Sequence, residues 1–214
     1  MKIFIETHGC KLNQADTQSI SNGFLLKGFQ LTDDIGDADA CIINTCTVTH
    51  IADRKARNAL RKAKSINPNC LIVATGCYAE WAHEKLNNMP EIDLVLGNSS
   101  KTDLVENVIN VLDNKHIEIP TTSLTIIDQM KRTRAMVKIQ EGCDQICAYC
   151  IVPRVRGRER SVSLIDLINK INQLHLEGYK EVVLTGTQLG TYGFEFTDTN
   201  LPILIESILR ETSI

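Results

Sequence analysis

The sequence predicts an α/β fold built on a parallel sheet. Short apolar runs of strand length alternate with amphipathic stretches of helix length up to residue 112, and one run, CLIVATG (70–76), is continuously apolar. A second alternation of the same kind begins at residue 134. Strands separated by helices of this length cannot be joined as hairpins, so they pair in parallel through crossovers.

Taken in order, KIFIE (2–6) is a short apolar strand, followed by a helical pattern that sets Ile20, Phe24 and Leu25 on one face. ACIIN (40–44) is a second strand. Residues 52–64 form a helix whose Ala52, Ala56, Ala59, Leu60 and Ala63 make a small-residue stripe opposite its cations, and Asn67-Pro68-Asn69 ends that unit. CLIVATG is a third strand, of the sort buried on both faces. A short helix at 80–86, a strand at 94–96 and a helix near 101–112 complete an open sheet of Rossmann-like or flavodoxin-like type, and the lone Trp81 is expected in its core. Residues 113–130, with Pro120 and the TTS of 121–123, lack a period and are expected to link domains spanning 1–128 and 129–214. The second domain offers a strand at 134–140, a helix at 161–177, a strand at 181–186 and a helix near 201–211. Two strand–helix units cannot cover both faces of a parallel sheet, so this domain reads as the truncated start of a larger one.

The chain has 214 residues, 43% hydrophobic and 23% charged, an ordinary globular composition. It has no apolar run long enough for a membrane span, and MKIFIETHGC turns polar too soon for a secretory signal. A cytoplasmic location is therefore expected. The eight cysteines then point to metal binding or catalysis rather than disulfides. Net charge is −3, but the charges are segregated. Residues 33–39 carry four aspartates, 54–64 carry six cations and no acid, and the tracts KRTR (131–134) and RVRGRER (154–160) bracket a cysteine cluster. Solvated helix faces and loops account for any one tract. Three together make a polyanionic partner a serious candidate.

Cys10, Cys46 and Cys77 each lie just past a predicted strand, in THGCKLN, NTCTVTH and TGCYAE. The carboxyl ends of parallel strands share one edge, where ligands of open α/β sheets bind. Cysteines 36 and 31 residues apart are thereby expected to gather, with Gly9 and Gly76 preceding two of them where a tight turn is needed. Cys41 and Cys70 fall within or at the start of strands and read as small buried hydrophobes. A second trio, Cys143, Cys147 and Cys150, sits in EGCDQICAYC. Zinc takes a fourth ligand; His8 and His50 are near the first trio without suitable spacing, and no histidine is near the second. Iron–sulfur clusters normally take four thiolates, so a trio leaves one iron open to an exogenous ligand.

Cys143-x3-Cys147-x2-Cys150, following a strand and with an aromatic before its last cysteine, resembles the radical S-adenosylmethionine signature. Together with a three-cysteine α/β domain, with GCDQICAYCIVPRVRGRERS (142–161) and with THGCKLNQADT (7–17), the chain resembles the methylthiotransferases along essentially its whole length. The resemblance implies two [4Fe-4S] clusters, one held by Cys143, Cys147 and Cys150 and an auxiliary one by Cys10, Cys46 and Cys77. It implies that S-adenosylmethionine binds the first and is cleaved there to a 5′-deoxyadenosyl radical. Tyr149 would lie against the cofactor's adenine, and Gly186, Thr187 and Gln188 of TGTQLG (185–190) would meet its methionine portion. An aromatic tucked into the core and a turn glycine are the plainer readings of Tyr149 and Gly186. The implied reaction inserts a methylthio group at C2 of adenosine 37 of tRNA, N6-threonylcarbamoyladenosine by the look of the first cysteine's surroundings, with isopentenyladenosine as the alternative. Partners would be tRNA, an electron donor and a sulfur donor, with no membrane and no DNA. Arg154, Arg156, Arg158 and Arg160 are candidates for tRNA phosphates or the cofactor carboxylate. Asn13 and Asn44 flank the auxiliary site, and capping a helix is the plainer job for Asn13. Members of that family continue into a longer partial (β/α) barrel and a β-rich RNA-binding domain, so little methylthiolation is expected from these residues alone. A non-catalytic iron–sulfur carrier or scaffold, and a structural zinc protein, are the rival readings.

Overall fold

A computed structural model describes residues 1–113 and 134–214. The chain divides into two compact units, Met1–Thr125 and Ile126–Ile214. Of the linker expected over 113–130, Asp113 ends a helix and residues 114–130 lie outside the described residues, as do the 128/129 boundary and residues 131–133 of the KRTR tract.

The first unit alternates β1 (Lys2–Thr7), α1 (Lys11–Leu26), β2 (Gln30–Thr32), β3 (Ala40–Thr45), α2 (His50–Ile66), β4 (Leu71–Gly76), α3 (Cys77–Trp81), α4 (His83–Asn87), β5 (Leu94–Leu96) and α5 (Leu104–Asp113). All five strands are parallel in the order β2-β1-β3-β4-β5, the flavodoxin-like arrangement. Every residue of β3 and β4 is buried, as their unbroken apolar runs require. Successive side chains leave a strand on opposite faces. Ala40 and Ile42 therefore join Ile3, Phe24 and Leu104 in a core under α1 and α5, while Cys41 and Ile43 join Ala56, Leu60, Ala63 and Tyr78 in one under α2 to α4. The Thr49 side chain caps α2 by accepting from Ala52 N–H at 3.1 Å.

Three local expectations change. The 80–86 helix is two short ones, and a three-residue edge strand, β2, appears where too few residues carried a period to show it. Trp81 is 49% exposed rather than core, because five-residue α3 has one inward side and Tyr78 and Ala79 fill it.

Cys41 and Cys70 are buried, as small hydrophobes. Burial pushes the Cys41 thiol up to about 12, with Cys70 and Glu6 adding to the effect. An unfolded thiol loses its proton near pH 8.5, so between that pH and about 12 the folded state holds the extra proton. This contribution is complete below pH 8.5 and is lost as pH rises through the folded value. Urea unfolding at pH 8 and pH 10.5 is expected to show wild type losing about 2.5 kcal/mol more than Cys41→Ala, at about 1.4 kcal/mol per pH unit above pH 8.5. Equal losses would refute the assignment.

In the second unit β6 (Arg134–Lys138) pairs in parallel with β9 (Glu181–Thr185), and α7 (Leu164–Leu176) and α8 (Leu201–Glu211) pack on them. Ser163 caps α7 and Asn200 caps α8 through side-chain oxygens. The strand expected over 134–140 breaks at Ile139. Its end, β7 (Gln140–Glu141), turns away to pair antiparallel with β8 (Arg160–Ser161), and α6 (Val152–Arg156) lies between them in sequence. Tyr192 secures this corner, its hydroxyl donating to Val162 O at 2.8 Å. Among the described residues no helix is long and apolar enough to cross a membrane.

Candidate metal centres

Strands β1, β3 and β4 are immediate neighbours, and each delivers one cysteine past its carboxyl end. Thr45 pairs with Gly76, so Cys46 and Cys77 leave the sheet one residue beyond a shared rung. Cys10 stands at the N-cap of α1, three residues beyond Thr7, which pairs with Asn44. Cys46 and Cys77 are buried and Cys10 is exposed. Burial raises the Cys46 thiol against a lowering backbone hydrogen bond from Val48, and the fields of Cys77 and Cys10 raise it further.

The backbone around them has little freedom. Gly9 sits at φ +98°, and a Cβ there would lie 2.9 Å from Cys46 Sγ. Gly76, at φ +92°, would drive a Cβ to 2.5 Å from Asn44 Oδ1 and into Thr45 O. Asn13 does not cap α1. Fully buried, its Nδ2 donates to His8 O at 2.7 Å and to Thr45 O at 3.0 Å, tying the Cys10 loop to the Cys46 loop. Asn44 returns the tie, donating to Asn13 O at 2.9 Å and to Thr17 Oγ1 at 3.0 Å. Asn98 Nδ2 donates to Cys77 Sγ at 3.5 Å, a contact that sequence reasoning missed.

The second trio lies on the segment from β7 to α6. Gly142, at φ +78°, has its Cα face pressed against the backbone carbonyl of Arg158, and Cys143 N–H donates to Gly157 O at 3.2 Å. Cys143 is buried, its thiol 3.5 Å from Gln188 Oε1; Cys147 is exposed and Cys150 half-buried. Cys150 N–H closes a turn on Cys147 O at 3.0 Å. Tyr149 is 91% exposed, which removes the core-aromatic reading and leaves its ring free for a flat ligand.

Two residues ahead of the motif, unnoticed in the sequence, organise this segment. Gln140 is fully buried; its Nε2 donates to Gly142 O at 2.9 Å, while its Oε1 accepts from Thr187 N–H at 2.8 Å and Gln188 N–H at 2.9 Å. One amide thus joins the cysteine loop to the TGTQLG turn, and Gly186 leaves room for it, since a Cβ there would lie 2.9 Å from Gln140 Oε1. Glu141 is buried among three cations: Arg156 at 2.6 Å, Lys138 at 3.0 Å and Arg160 at 3.2 Å. The expectation for Arg156 is corrected accordingly. At 5% exposure, its guanidinium neutralises a buried carboxylate and does not face a polyanion. Arg154, Arg158 and Arg160 are exposed, with Arg158 3.6 Å from Asp144 in a solvent-screened pair. The only advance signal for Gln140 and Glu141 was two polar residues ending an apolar strand.

Among the described residues no three His, Cys, Asp or Glu side chains converge as ligands of a single metal ion must. Each trio supplies only soft thiolate donors on a backbone shaped by positive-φ glycine, a donor set suited to iron–sulfur chemistry.

Residues 2–97 match the family described as "Uncharacterized protein family UPF0004". Over 98% of its length the chain is 36% identical to the threonylcarbamoyladenosine tRNA methylthiotransferase MtaB of Aquifex aeolicus, covering 53% of that protein. It is 33% identical to MtaB of Bacillus subtilis, over 96% of this chain and 48% of that one. The tRNA-2-methylthio-N(6)-dimethylallyladenosine synthase of Parabacteroides distasonis is 34% identical over 98% of this chain and 49% of its own. The chain thus spans about half the length of the curated relatives it matches. A solved structure of the radical S-adenosylmethionine methyltransferase TsrM from Kitasatospora setae, with cobalamin and a [4Fe-4S] cluster bound, superposes with a TM-score of 0.59 at 11% identity. That match covers 98% of this chain and 52% of TsrM, a likeness of fold.

Proposed function

We infer, from a chain that resembles the radical S-adenosylmethionine tRNA methylthiotransferases along nearly its whole length, that these residues provide the two metal-bearing parts of such an enzyme. The observation that carries this reading is the delivery of Cys10, Cys46 and Cys77 by three neighbouring strands to one sheet edge, on a chain that also holds the Cys143-x3-Cys147-x2-Cys150 loop. The substrate we propose is tRNA with N6-threonylcarbamoyladenosine at position 37, methylthiolated at C2. The similar identity to a dimethylallyladenosine synthase favours isopentenyladenosine as the second reading.

The cysteine trios would each hold a [4Fe-4S] cluster, and such clusters, when bound, supply one-electron cleavage of S-adenosylmethionine at one trio and a metal-held sulfur at the other. The chain's own residues bind and orient. Asn13 and Asn44 hold the Cys10 and Cys46 loops in one register. Gln140 sets the Cys143 loop against Thr187 and Gln188, on the turn proposed for the cofactor's methionine portion. Tyr149 offers an exposed ring to adenine, and Arg154, Arg158 and Arg160 offer cations to carboxylate or phosphate. The Glu141–Arg156 pair fixes the base of that tract.

Anaerobic reconstitution tests this directly. Wild type is expected to bind about eight irons with matching sulfide, falling to about four in Cys10→Ala and in Cys147→Ala, both exposed positions that lose a ligand without opening a cavity. Stoichiometric zinc without iron would overturn the reading in favour of a structural zinc protein. Because the chain spans about half the length of its relatives, release of 5′-deoxyadenosine from S-adenosylmethionine and paired assays on the two modified tRNAs are to be read on the full-length protein, where the first separates an enzyme from a carrier and the second chooses the substrate.

A further inference from the structure

The six cations of α2 divide into two sets. Arg57 donates to the Tyr78 hydroxyl at 2.5 Å, Arg61 pairs with Glu91 at 3.4 Å and Lys64 with Asp93 at 3.2 Å, so these three secure the helix to its own unit. The other three lie on the outward stripe Ile51, Arg54, Lys55, Asn58 and Lys62, all exposed, at the i, i+3, i+4, i+7, i+11 spacing of a single helix face. No acidic residue interrupts this stripe. The one aspartate of α2, Asp53, points aside and accepts from Thr47 Oγ1 at 2.7 Å. Among the described residues Arg54, Lys55 and Lys62 form no ion pair. The acid that feels Lys62 is Glu6, whose carboxyl is lowered first by its hydrogen bond from His8. A merely solvated face would mix signs and carry i,i+4 pairs, and a chain of net charge −3 has acids to spare for them.

The stripe also has a direction. Its first residue lies five positions beyond Cys46, at the sheet edge where the first trio sits, and it runs about 17 Å down the helix. At that edge two apolar side chains stand in solvent, Val48 at 64% and Ile51 at 59% exposure. Apolar surface beside the cysteines, giving way to unpaired cations, matches a ligand with an unstacked base at one end and phosphates along the rest. Single-stranded RNA in a loop has both; a duplex hides its base faces, and a free polyphosphate has none.

We propose that this stripe, with Val48, is the surface on which the RNA loop carrying the target adenosine lies, with Arg54, Lys55 and Lys62 on its phosphates and Val48 and Ile51 against a base flanking the target. This rests on the tRNA reading above and adds to it where the nucleic acid is held on the first unit.

The test measures binding of a labelled anticodon stem–loop RNA by the chain across a salt series, with a duplex of equal length and inorganic polyphosphate as comparison probes. Arg54→Glu/Lys55→Glu is expected to weaken loop binding at least about tenfold and to flatten the slope of log affinity against log salt by about 1.4, two contacts at about 0.7 each. Val48→Ser/Ile51→Ser is expected to weaken the loop several-fold with an unchanged slope, and to leave polyphosphate binding as in wild type. All four positions are exposed, so thermal midpoints should match wild type. Wild-type affinity and slope in the charge-reversed variant overturn the proposal, as does wild-type chain that binds duplex or polyphosphate as well as the loop. A wild-type chain that binds no RNA overturns it too, and the reconstituted iron count of the same preparation then shows whether the metal-bearing reading survives.

Discussion

Gly142→Ala is expected to remove about half of the reconstituted iron and to destabilise the second unit by several kcal/mol. Two effects add. An alanine at φ +78° costs about 1–2 kcal/mol in backbone conformation alone. Its Cβ would also be driven into the carbonyl of Arg158, a main-chain atom on the segment entering β8, which has no flexible end to swing away. That segment also accepts from Cys143 N–H through Gly157 O, so pushing it back displaces the first ligand of the second trio. Gly157 supplies the control. It too has positive φ, at +75°, but nothing lies within 4 Å of a Cβ there. Gly157→Ala should therefore cost only the conformational term and keep its iron. Iron counts and urea midpoints for the two variants make the comparison; matching behaviour would mean that the Arg158 contact does not constrain the loop.

Gln140→Leu should have the next largest effect. The leucine fills a similar volume but leaves Gly142 O without its partner in a buried position, while Thr187 N–H and Gln188 N–H, only partly buried, lose the acceptor that holds their turn to the cysteine loop. At about 1–3 kcal/mol for an unsatisfied buried group, with smaller losses from the two partly solvated N–H groups, a loss of about 2–3 kcal/mol is expected. The functional signature differs from that of a lost ligand. The cysteines remain, so iron uptake should persist, while the affinity for S-adenosylmethionine, read by calorimetric titration, should fall at least tenfold because the turn at 186–188 is no longer held to the cysteine loop. Gln140→Glu keeps the two accepted bonds and loses the donated one, and should fall between leucine and wild type. A leucine variant that binds the cofactor normally would show that Gln140 only supports the fold.

The α/β alternation of both units, the buried third strand and the placement of Cys10, Cys46 and Cys77 just past three strand ends could be read from the chain, because each depends on local period. β2 could not, since three residues carry no period. The break at Ile139 was hidden because the alternation of Met136, Lys138 and Gln140 with Ala135, Val137 and Ile139 runs on through it, and only the pairing of Gln140 with Ser161 reveals where the strand turns away. The arginines 154, 156, 158 and 160 look equivalent in sequence. Burial of Arg156 against Glu141, 15 residues earlier, separates it from the rest. Gln140 was silent for the same reason, its partners lying up to 48 residues away. Asn13, placed where a helix begins, invited a capping role that its bond to Thr45, 32 residues on, replaces.

The neighbouring placement of β1, β3 and β4 also sets a timetable. The three thiols of the first trio come from residues 10, 46 and 77, so their loops cannot be brought to one edge until the fourth strand of the sheet has docked in register. A one-residue slip of any of the three strands would turn its side chains to the other face and scatter the set. Cys143, Cys147 and Cys150 lie within eight residues and need no distant strand to bring them near. As the chain leaves the ribosome, the first trio is the earlier one synthesised, yet its formation waits on completed folding. A cluster proposed on that trio would thereby load only on a unit that has been built correctly.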